Sequence, residues 1–349
     1  MARRRALVTA ALGVVTALGT WAVPAQAAAP SYVALGDSYS SGTGTRSYLA
    51  DGTSCLRSVY AYPSLIASAK GYALNFRACS GAKISDVVGT QLSALSTSTT
   101  YVTISVGGND AGFADVLTTC AQPAWLSNCT GAVDGAQAYI RTTLPGALNT
   151  LYAGIRARAP QARVTVVGYP RIFNGEDCNL LTWFSPTEES RLNATADLIN
   201  ATTATRASAA GFAFANPTSR FVGHAVCDSP EWLNGLSNPV TESYHPNRTG
   251  HASGYTPTVS PFVTGSTVAV TSALVSTARG SSERLARQQR AYAEADRRIA
   301  PEVVRPVDLT TPAARAAADR AGVDLGSRAS IDAADRLWSA RQAADLARR

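Results

Sequence analysis

The residues of this chain that can perform covalent chemistry are a serine in a sharp turn and one of three histidines. Ser38 ends the tripeptide Gly36-Asp37-Ser38, which directly follows an apolar run. A serine hydroxyl becomes a useful nucleophile when a neighbouring base removes its proton, and histidine is the usual base near neutral pH. The pattern therefore indicates acyl transfer through Ser38, although the same tripeptide also occurs in ordinary turns.

Three histidines are candidates for the base. His245 lies in Glu242-Ser243-Tyr244-His245-Pro246-Asn247, after the last predicted strand, where a late loop can return to the nucleophile. His224 lies close to Cys227 and is equally consistent with a loop-packing residue. His251 is expected on a following helical turn. His245 is therefore the predicted base.

Two further turns supply groups that could stabilise an oxyanion. One is Cys79-Ser80-Gly81-Ala82, and the other is Gly107-Gly108-Asn109-Asp110. Glycine lets a backbone N–H approach a substrate closely, and an asparagine amide is a neutral donor. Taken alone, Gly81 is equally well explained as a left-handed turn position and Asn109 as a turn residue.

The order of the predicted elements explains how these groups could meet. Short β-prone runs alternate with helical patterns, which predicts a parallel sheet covered by helices on both faces. Right-handed crossovers place the carboxyl ends of all strands along one edge, and Ser38, Gly81 and Asn109 each follow a strand. The predicted strands are 32–35, 72–76, 101–106, 163–168 and 212–214. The predicted helices are 61–70, 84–95, 136–157, 187–210, 282–299, one from Thr311-Pro312 to Gly322, and a last one capped by Ser330.

Four blocks in this order resemble the SGNH (GDSL-type) hydrolase superfamily, and most closely its secreted actinomycete lipases and phospholipases. The blocks are Gly36-Asp37-Ser38-Tyr39-Ser40, Gly81, Gly107-Gly108-Asn109-Asp110 and His245-Pro246-Asn247. They span residues 30–250, and the resemblance does not cover the segment from about residue 266. It implies an α/β fold of three layers, α/β/α and flavodoxin-like, with a central parallel sheet.

The resemblance also implies a role for each site residue. Ser38 is the nucleophile and His245 the general base, while the Ser38 N–H, the Gly81 N–H and the Asn109 amide form the oxyanion hole. Most of the superfamily has an aspartate three residues before the histidine, where this chain has Glu242. In the actinomycete branch a backbone carbonyl two residues earlier, here that of Ser243, holds the ring. We expect the Ser243 carbonyl to be the main orienting group and Glu242 an auxiliary one.

Six cysteines in an exported chain predict three disulfides, and spacing alone permits 15 pairings. The resemblance to the SGNH family implies one of these 15 sets of three bridges. No C-x-x-C pair is present, so no metal site is predicted, and the chemistry requires no cofactor. The implied bridges are Cys55–Cys79, Cys120–Cys129 and Cys178–Cys227.

Charge and composition divide the chain into three parts. Residues 1–27 combine three arginines, an apolar run and Ala25-Gln26-Ala27, which predicts a secretory signal peptide cleaved at about 27–29, with a membrane anchor as the alternative. Sec and twin-arginine export both remain open. Residues 30–265 are predicted to form the hydrolase domain, and residues 266–349 an Ala/Arg-rich helical extension. The net charge of +7 arises entirely outside residues 30–265, so no nucleic-acid partner is expected.

These observations predict a secreted serine ester hydrolase, a lipase, esterase or phospholipase, that cleaves fatty acyl esters through an acyl-Ser38 intermediate. A carbohydrate acetyl-esterase on the same fold is the alternative, and a non-enzymatic extracellular binding domain is a third hypothesis. The expected partner is a lipid ester substrate, with transient contact to a lipid surface. We expect a monomer.

Overall fold

The computed structural model describes Ala2 and residues 28–348. The predicted signal peptide, residues 1–27, lies outside the described residues apart from Ala2. Within the described part, no helix combines the length and the apolar character that crossing a membrane requires.

A parallel sheet of five strands forms the centre of the fold, in the order β2-β1-β3-β4-β5. This is the order of doubly wound, flavodoxin-like sheets. The predicted fold class is therefore confirmed. The strands are β1 (Ser31–Gly36), β2 (Ala73–Phe76), β3 (Tyr101–Ser105), β4 (Arg163–Val167) and β5 (Ala213–Ala215).

Helices cover both faces of this sheet. Tyr32 and Ala34 of β1 are buried in one apolar cluster, whereas Val33 and Leu35 are buried in another. Side chains alternate across a strand, so two separate clusters mean that a helical layer covers each face. The helices are α1 (Ser38–Ser41), α2 (Tyr62–Lys70), α3 (Ile84–Asp86), α4 (Phe113–Cys120), α5 (Cys129–Thr142), α6 (Leu144–Arg158), α7 (Pro186–Ala209), α8 (Thr256–Thr264), α9 (Ser272–Gly280), α10 (Ser282–Arg290), α11 (Ala293–Asp296), α12 (Pro312–Ala321) and α13 (Arg328–Ala347).

Two predicted helices are interrupted. The helix predicted over 84–95 becomes α3, a π turn over Val87–Gln91 and a 3₁₀ turn over Leu92–Ala94. The buried Gln91 side chain leaves the helical face to bond the backbone of Gly36. The helix predicted over 136–157 lies within α5 and α6, which meet where Pro145, with no N–H to donate, occupies the first turn of α6.

The C-terminal extension, α9 to α13, packs against the sheet domain. Helix α9 packs on α2, and α10 packs on the outer strand β2. The predicted start and stop of α12 are confirmed, because Thr311 accepts a hydrogen bond from the Ala314 N–H and Gly322 closes the helix at φ +67°. The predicted cap of the last helix is wrong: Ser327 caps α13, and Ser330 is already helical. The predicted helix over 282–299 is divided into α10 and α11.

All six cysteines are paired as the family pattern implies. The bridges are Cys55–Cys79, Cys120–Cys129 and Cys178–Cys227. Cys79 of the first bridge lies two residues before Gly81, so this bridge restrains one of the turns at the sheet edge.

Candidate active site

The nucleophile turn depends on a glycine at the end of β1. Gly36 has φ +118°, and a Cβ there would lie 2.2 Å from the Ser105 carbonyl oxygen of β3, so only glycine fits. The Gln91 side chain bonds both the N–H and the C=O of Gly36, at 2.7 and 2.9 Å. Asp37 then caps α1 by accepting from the Tyr39 N–H at 3.0 Å. Asp37 therefore shapes the turn, and Ser38 opens a short buried helix.

Ser38 and His245 are in direct contact although 207 residues separate them. The Ser38 Oγ lies 2.8 Å from His245 Nε2, and His245 Nδ1 lies 2.8 Å from the Ser243 carbonyl oxygen. A carbonyl can only accept, so Nδ1 carries the proton and Nε2 is free to accept one from the serine. The Tyr39 hydroxyl also donates to the Tyr244 carbonyl at 2.8 Å, which ties the nucleophile turn to the histidine loop.

Glu242 does not reach the histidine. Its side chain is buried and accepts a hydrogen bond from the hydroxyl of Tyr48, which in turn accepts from the Gly44 N–H. The expectation that Glu242 assists in orienting His245 is therefore corrected. A short 3₁₀ turn over Val240–Glu242 directs the Glu242 side chain to Tyr48 and leaves the Ser243 carbonyl beside the ring.

Glu242→Gln is expected to lower kcat by less than about tenfold, because a glutamine oxygen can still accept from Tyr48 and the ring keeps its backbone acceptor. The measurement is kcat and KM on a soluble ester. A loss near 10⁴-fold, as an aspartate-to-asparagine change causes in a Ser-His-Asp triad, would instead make Glu242 the orienting group.

The other two histidines are packing residues. His224 stacks on Trp232 with ring centroids 3.7 Å apart, and its Nδ1 lies 2.9 Å from the Pro230 carbonyl oxygen. His251 is fully buried and stacks on Tyr62. Neither ring makes a hydrogen bond to Ser38 within the described residues.

Three hydrogen-bond donors lie at this edge of the sheet. Asn109 donates from Nδ2 to the Ala82 carbonyl at 3.0 Å, which fixes the amide and leaves its second N–H for a ligand. Gly81, at φ +82°, belongs to the same turn as Ala82. Within residues 28–348 the N–H groups of Ser38 and Gly81 donate no hydrogen bond. Ser38 and Asn109 line one cleft, where their N–H groups can donate to a negative oxygen, and Gly81 lies in the turn next to Asn109.

Burial controls the protonation of His245. Desolvation lowers the pKa of His245 to about 4, and the hydrogen bond to the Ser243 carbonyl partly opposes this. Burial has the opposite effect on a carboxyl, and it raises the pKa of Asp37 to about 7, against hydrogen bonds from Tyr169, Tyr39 and Ser105.

Activity is accordingly expected to persist well below pH 6. His245 works as a base only when neutral, which it is above its pKa of about 4, so kcat/KM should fall as pH decreases through that value. The measurement is kcat/KM for a soluble ester between about pH 3.5 and 8, with recovery at pH 7 as the control for unfolding. An acid limb near pH 7 would contradict the low pKa of His245.

An apolar cleft opens beside Ser38 and Asn109, and sequence reasoning missed its walls. It encloses about 700 Å³ including its open mouth. Helices α4, α5 and α7 supply half of the lining residues. Tyr169, which also lines the cleft, donates a 2.6 Å hydrogen bond to Asp37. No motif marks these positions, but helical apolar spacing next to the Asn109 turn is a usable signal. The apolar lining residues are Ala111, Phe113, Val116, Leu117, Ala136, Ile140, Ile172, Leu192, Ala196 and Ile199.

One group of side chains in the described part has the spacing of metal ligands, formed by Cys178, Cys227 and Glu231. Its two sulfurs are joined in a disulfide, so they cannot act as thiolate ligands.

Comparison with known proteins agrees with this geometry. Residues 34–253 match the model of the GDSL-like Lipase/Acylhydrolase family. Lipase 1 of Streptomyces coelicolor is 43% identical over 254 residues, which cover 72% of this chain and 93% of that protein. An extracellular lipase from Streptomyces rimosus aligns in structure at 44% identity and TM-score 0.62, covering 68% of this chain and 100% of that one. A phospholipase A1 from Streptomyces albidoflavus aligns in structure at 40% identity and TM-score 0.62, covering 68% of this chain and 99% of that one. The chain belongs to the GDSL-like lipase/acylhydrolase family and is a carboxylic-ester hydrolase.

Proposed function

We propose that this hydrolase cleaves fatty acyl esters through a covalent acyl-Ser38 intermediate. The observation that carries the proposal is the apolar cleft, which starts at Ser38 and Asn109 and runs between α4, α5 and α7. An acetyl group would leave most of this apolar surface in contact with water, whereas a long acyl chain would cover it. The names of the related lipases and phospholipase A1 support the same substrate class.

The geometry supports a two-step reaction. In the first step, Ser38 Oγ attacks the ester carbonyl carbon while His245 Nε2 takes the hydroxyl proton. The carbonyl oxygen becomes an oxyanion, which accepts from the N–H groups of Ser38 and Gly81 and from the Asn109 amide. The C–O bond to the alcohol then breaks, and His245 returns the proton to the leaving oxygen. Water attacks the acyl-Ser38 ester by the same route, which releases the fatty acid and restores the serine.

Ala196→Trp tests the role of the cleft. Ala196 lies on α7 and lines the cleft, so an indole ring there should shorten the space for the acyl chain. We expect kcat/KM for a p-nitrophenyl laurate to fall by at least about tenfold, and kcat/KM for the acetate to change by less than about threefold. The matched control is Ala201→Trp, an exposed position on the same helix.

Three results would contradict the proposal. Equal losses on laurate and acetate would show that the cleft does not hold the acyl chain. Wild-type activity confined to acetyl esters would favour the carbohydrate acetyl-esterase. The absence of any ester hydrolysis would favour the binding domain.

We also propose that the mature enzyme is secreted and acts as a monomer that contacts lipid surfaces transiently. The leader-like sequence of residues 1–27, the three disulfides and the extracellular relative support secretion. N-terminal sequencing of protein from the culture medium tests it: a chain that still begins at Met1 would contradict cleavage at about 27–29.

A further inference from the structure

The C-terminal extension is joined to the catalytic domain by a buried ion cluster close to Gly81. Asp296, the last residue of α11, bonds Arg57 at 2.5 Å and Arg77 at 2.7 and 2.9 Å, and all three side chains are buried. The Arg57 Nε also donates to the Ala78 carbonyl at 2.9 Å, and Arg57 pairs with Asp51. The extension is therefore anchored to the chain that leads from β2 into the Gly81 turn.

Directly after this anchor the chain crosses Gly81. We call residues 296–305 the crossing segment. A Cβ placed on Gly81 would lie 2.3 Å from the Ala300 carbonyl oxygen, 2.9 Å from the Glu302 nitrogen and 3.1 Å from the Pro301 Cα. The Glu302 carboxylate pairs with Lys83 at 2.7 Å. The backbone of the crossing segment therefore fills the space that a side chain would occupy at Gly81.

The crossing segment also contacts the supports on either side of this turn. Ile299 is buried in a small cluster with Ala82 and the Cys55–Cys79 disulfide. Further along, the Arg305 N–H donates to the Thr118 hydroxyl at 2.9 Å. Thr118 belongs to α4, the helix that follows the Asn109 turn. The segment thus connects the surroundings of two of the three oxyanion donors.

We propose that the crossing segment is a positioning element for the oxyanion hole, with Ile299 and Pro301 holding the Gly81 turn in place. Glycine at positive φ has no side chain to anchor it, so contacts from neighbouring chain restrict its motion. An oxyanion donor is effective when it is held in position before the reaction. This proposal rests on the proposed function of Gly81. The matched family region ends at residue 253, so the extension adds a support that this family region does not include.

The first test compares two buried isoleucines of the extension. Ile299→Ala removes side-chain atoms beneath the Gly81 turn, and Ile331→Ala removes the same atoms from a separate cluster around Trp125 and Trp183. We expect Ile299→Ala to lower kcat on p-nitrophenyl acetate by at least about fivefold, with kcat calculated from the concentration of active sites found by titration. KM should stay within about twofold of the wild-type value. Ile331→Ala should leave both constants within about twofold, and Ile299→Val should restore most of kcat.

A second pair uses exposed positions, so that no buried side chain is removed. Pro301→Gly loosens the backbone that touches Gly81, and Pro306→Gly makes the same change five residues later. We expect a fall in kcat for Pro301→Gly alone. Amide hydrogen exchange of the peptide Ser80–Lys83 should also accelerate at least about threefold in Pro301→Gly and remain unchanged in Pro306→Gly.

The proposal would be overturned if Ile299→Ala and Ile331→Ala changed kcat equally and Pro301→Gly and Pro306→Gly did so too. The extension would then only stabilise the fold. Unchanged exchange at Ser80–Lys83 in Pro301→Gly would overturn it as well. If the wild type hydrolysed no acyl ester, the proposed function would fail on its own, and the exchange comparison would still decide whether the crossing segment holds the turn.

Discussion

Ser38→Ala should abolish measurable ester hydrolysis, with kcat lower by roughly 10⁴- to 10⁶-fold, as removal of the nucleophile does in serine hydrolases with a complete catalytic set. The reason is the 2.8 Å contact between Ser38 Oγ and His245 Nε2, since alanine leaves the base with no hydroxyl to activate. The measurement is kcat on p-nitrophenyl esters of increasing chain length, with KM followed where residual activity allows. Labelling of wild type with a dialkyl p-nitrophenyl phosphate, followed by peptide mass analysis, should place the adduct on the Ser38 peptide.

Ser40→Ala is the matched control for this variant. Ser40 lies in the same short helix and is also buried, but its hydroxyl bonds the Tyr62 hydroxyl at 2.8 Å instead of the histidine. We expect its kcat to stay within about tenfold of wild type, because the lost hydrogen bond serves packing. A Ser38→Ala enzyme that retained a tenth of the wild-type rate, or an adduct on another serine, would refute the assignment of the nucleophile.

Asp296→Asn should lower the free energy of unfolding by about 3–5 kcal/mol, the cost of breaking a buried ion pair from one side. Arg57 and Arg77 keep their charges, and Asp51 balances only one of them. Arg77 depends more on Asp296 for charge balance than Arg57 does, since Arg57 also pairs with Asp51. The other contacts of Arg77 to the extension, a hydrogen bond to Gln289 and stacking on Tyr292, involve neutral side chains. The measurement is denaturant unfolding with the disulfides intact, comparing midpoints at equal slope.

Asp197→Asn provides the exposed counterpart. Asp197 pairs with Arg171 at 2.7 Å, with 41% and 55% of the two side chains exposed, and we expect a loss of about 1 kcal/mol or less. If the two variants lost the same stability, the cluster around Asp296 would not contribute as a buried charge network. The extension would then be attached mainly by its apolar contacts.

The amino-acid sequence was sufficient to predict the fold class and the meeting of Ser38 with His245, because the elements that carry them follow local patterns. A β-prone run ending in Gly36-Asp37-Ser38 predicts a strand and a turn from its own residues. Alternating strands and helices then bring Ser38, Gly81 and Asn109 to one edge, whatever the details of packing. The pairing of the cysteines came from the resemblance to a family, since spacing alone left 15 possibilities.

The tertiary structure decided the features that depend on contacts between distant residues. Glu242 and the Ser243 carbonyl lie three and two residues before His245 in the chain, and the choice between them rests on Tyr48, 194 residues before Glu242. The apolar cleft beside Ser38 lies where three helices from separate parts of the chain meet. Asp296 looks like one exposed charge in an Ala/Arg-rich tail, yet it neutralises Arg57, 239 residues earlier. Burial and pairing are properties of the packed molecule, so local composition does not reveal them.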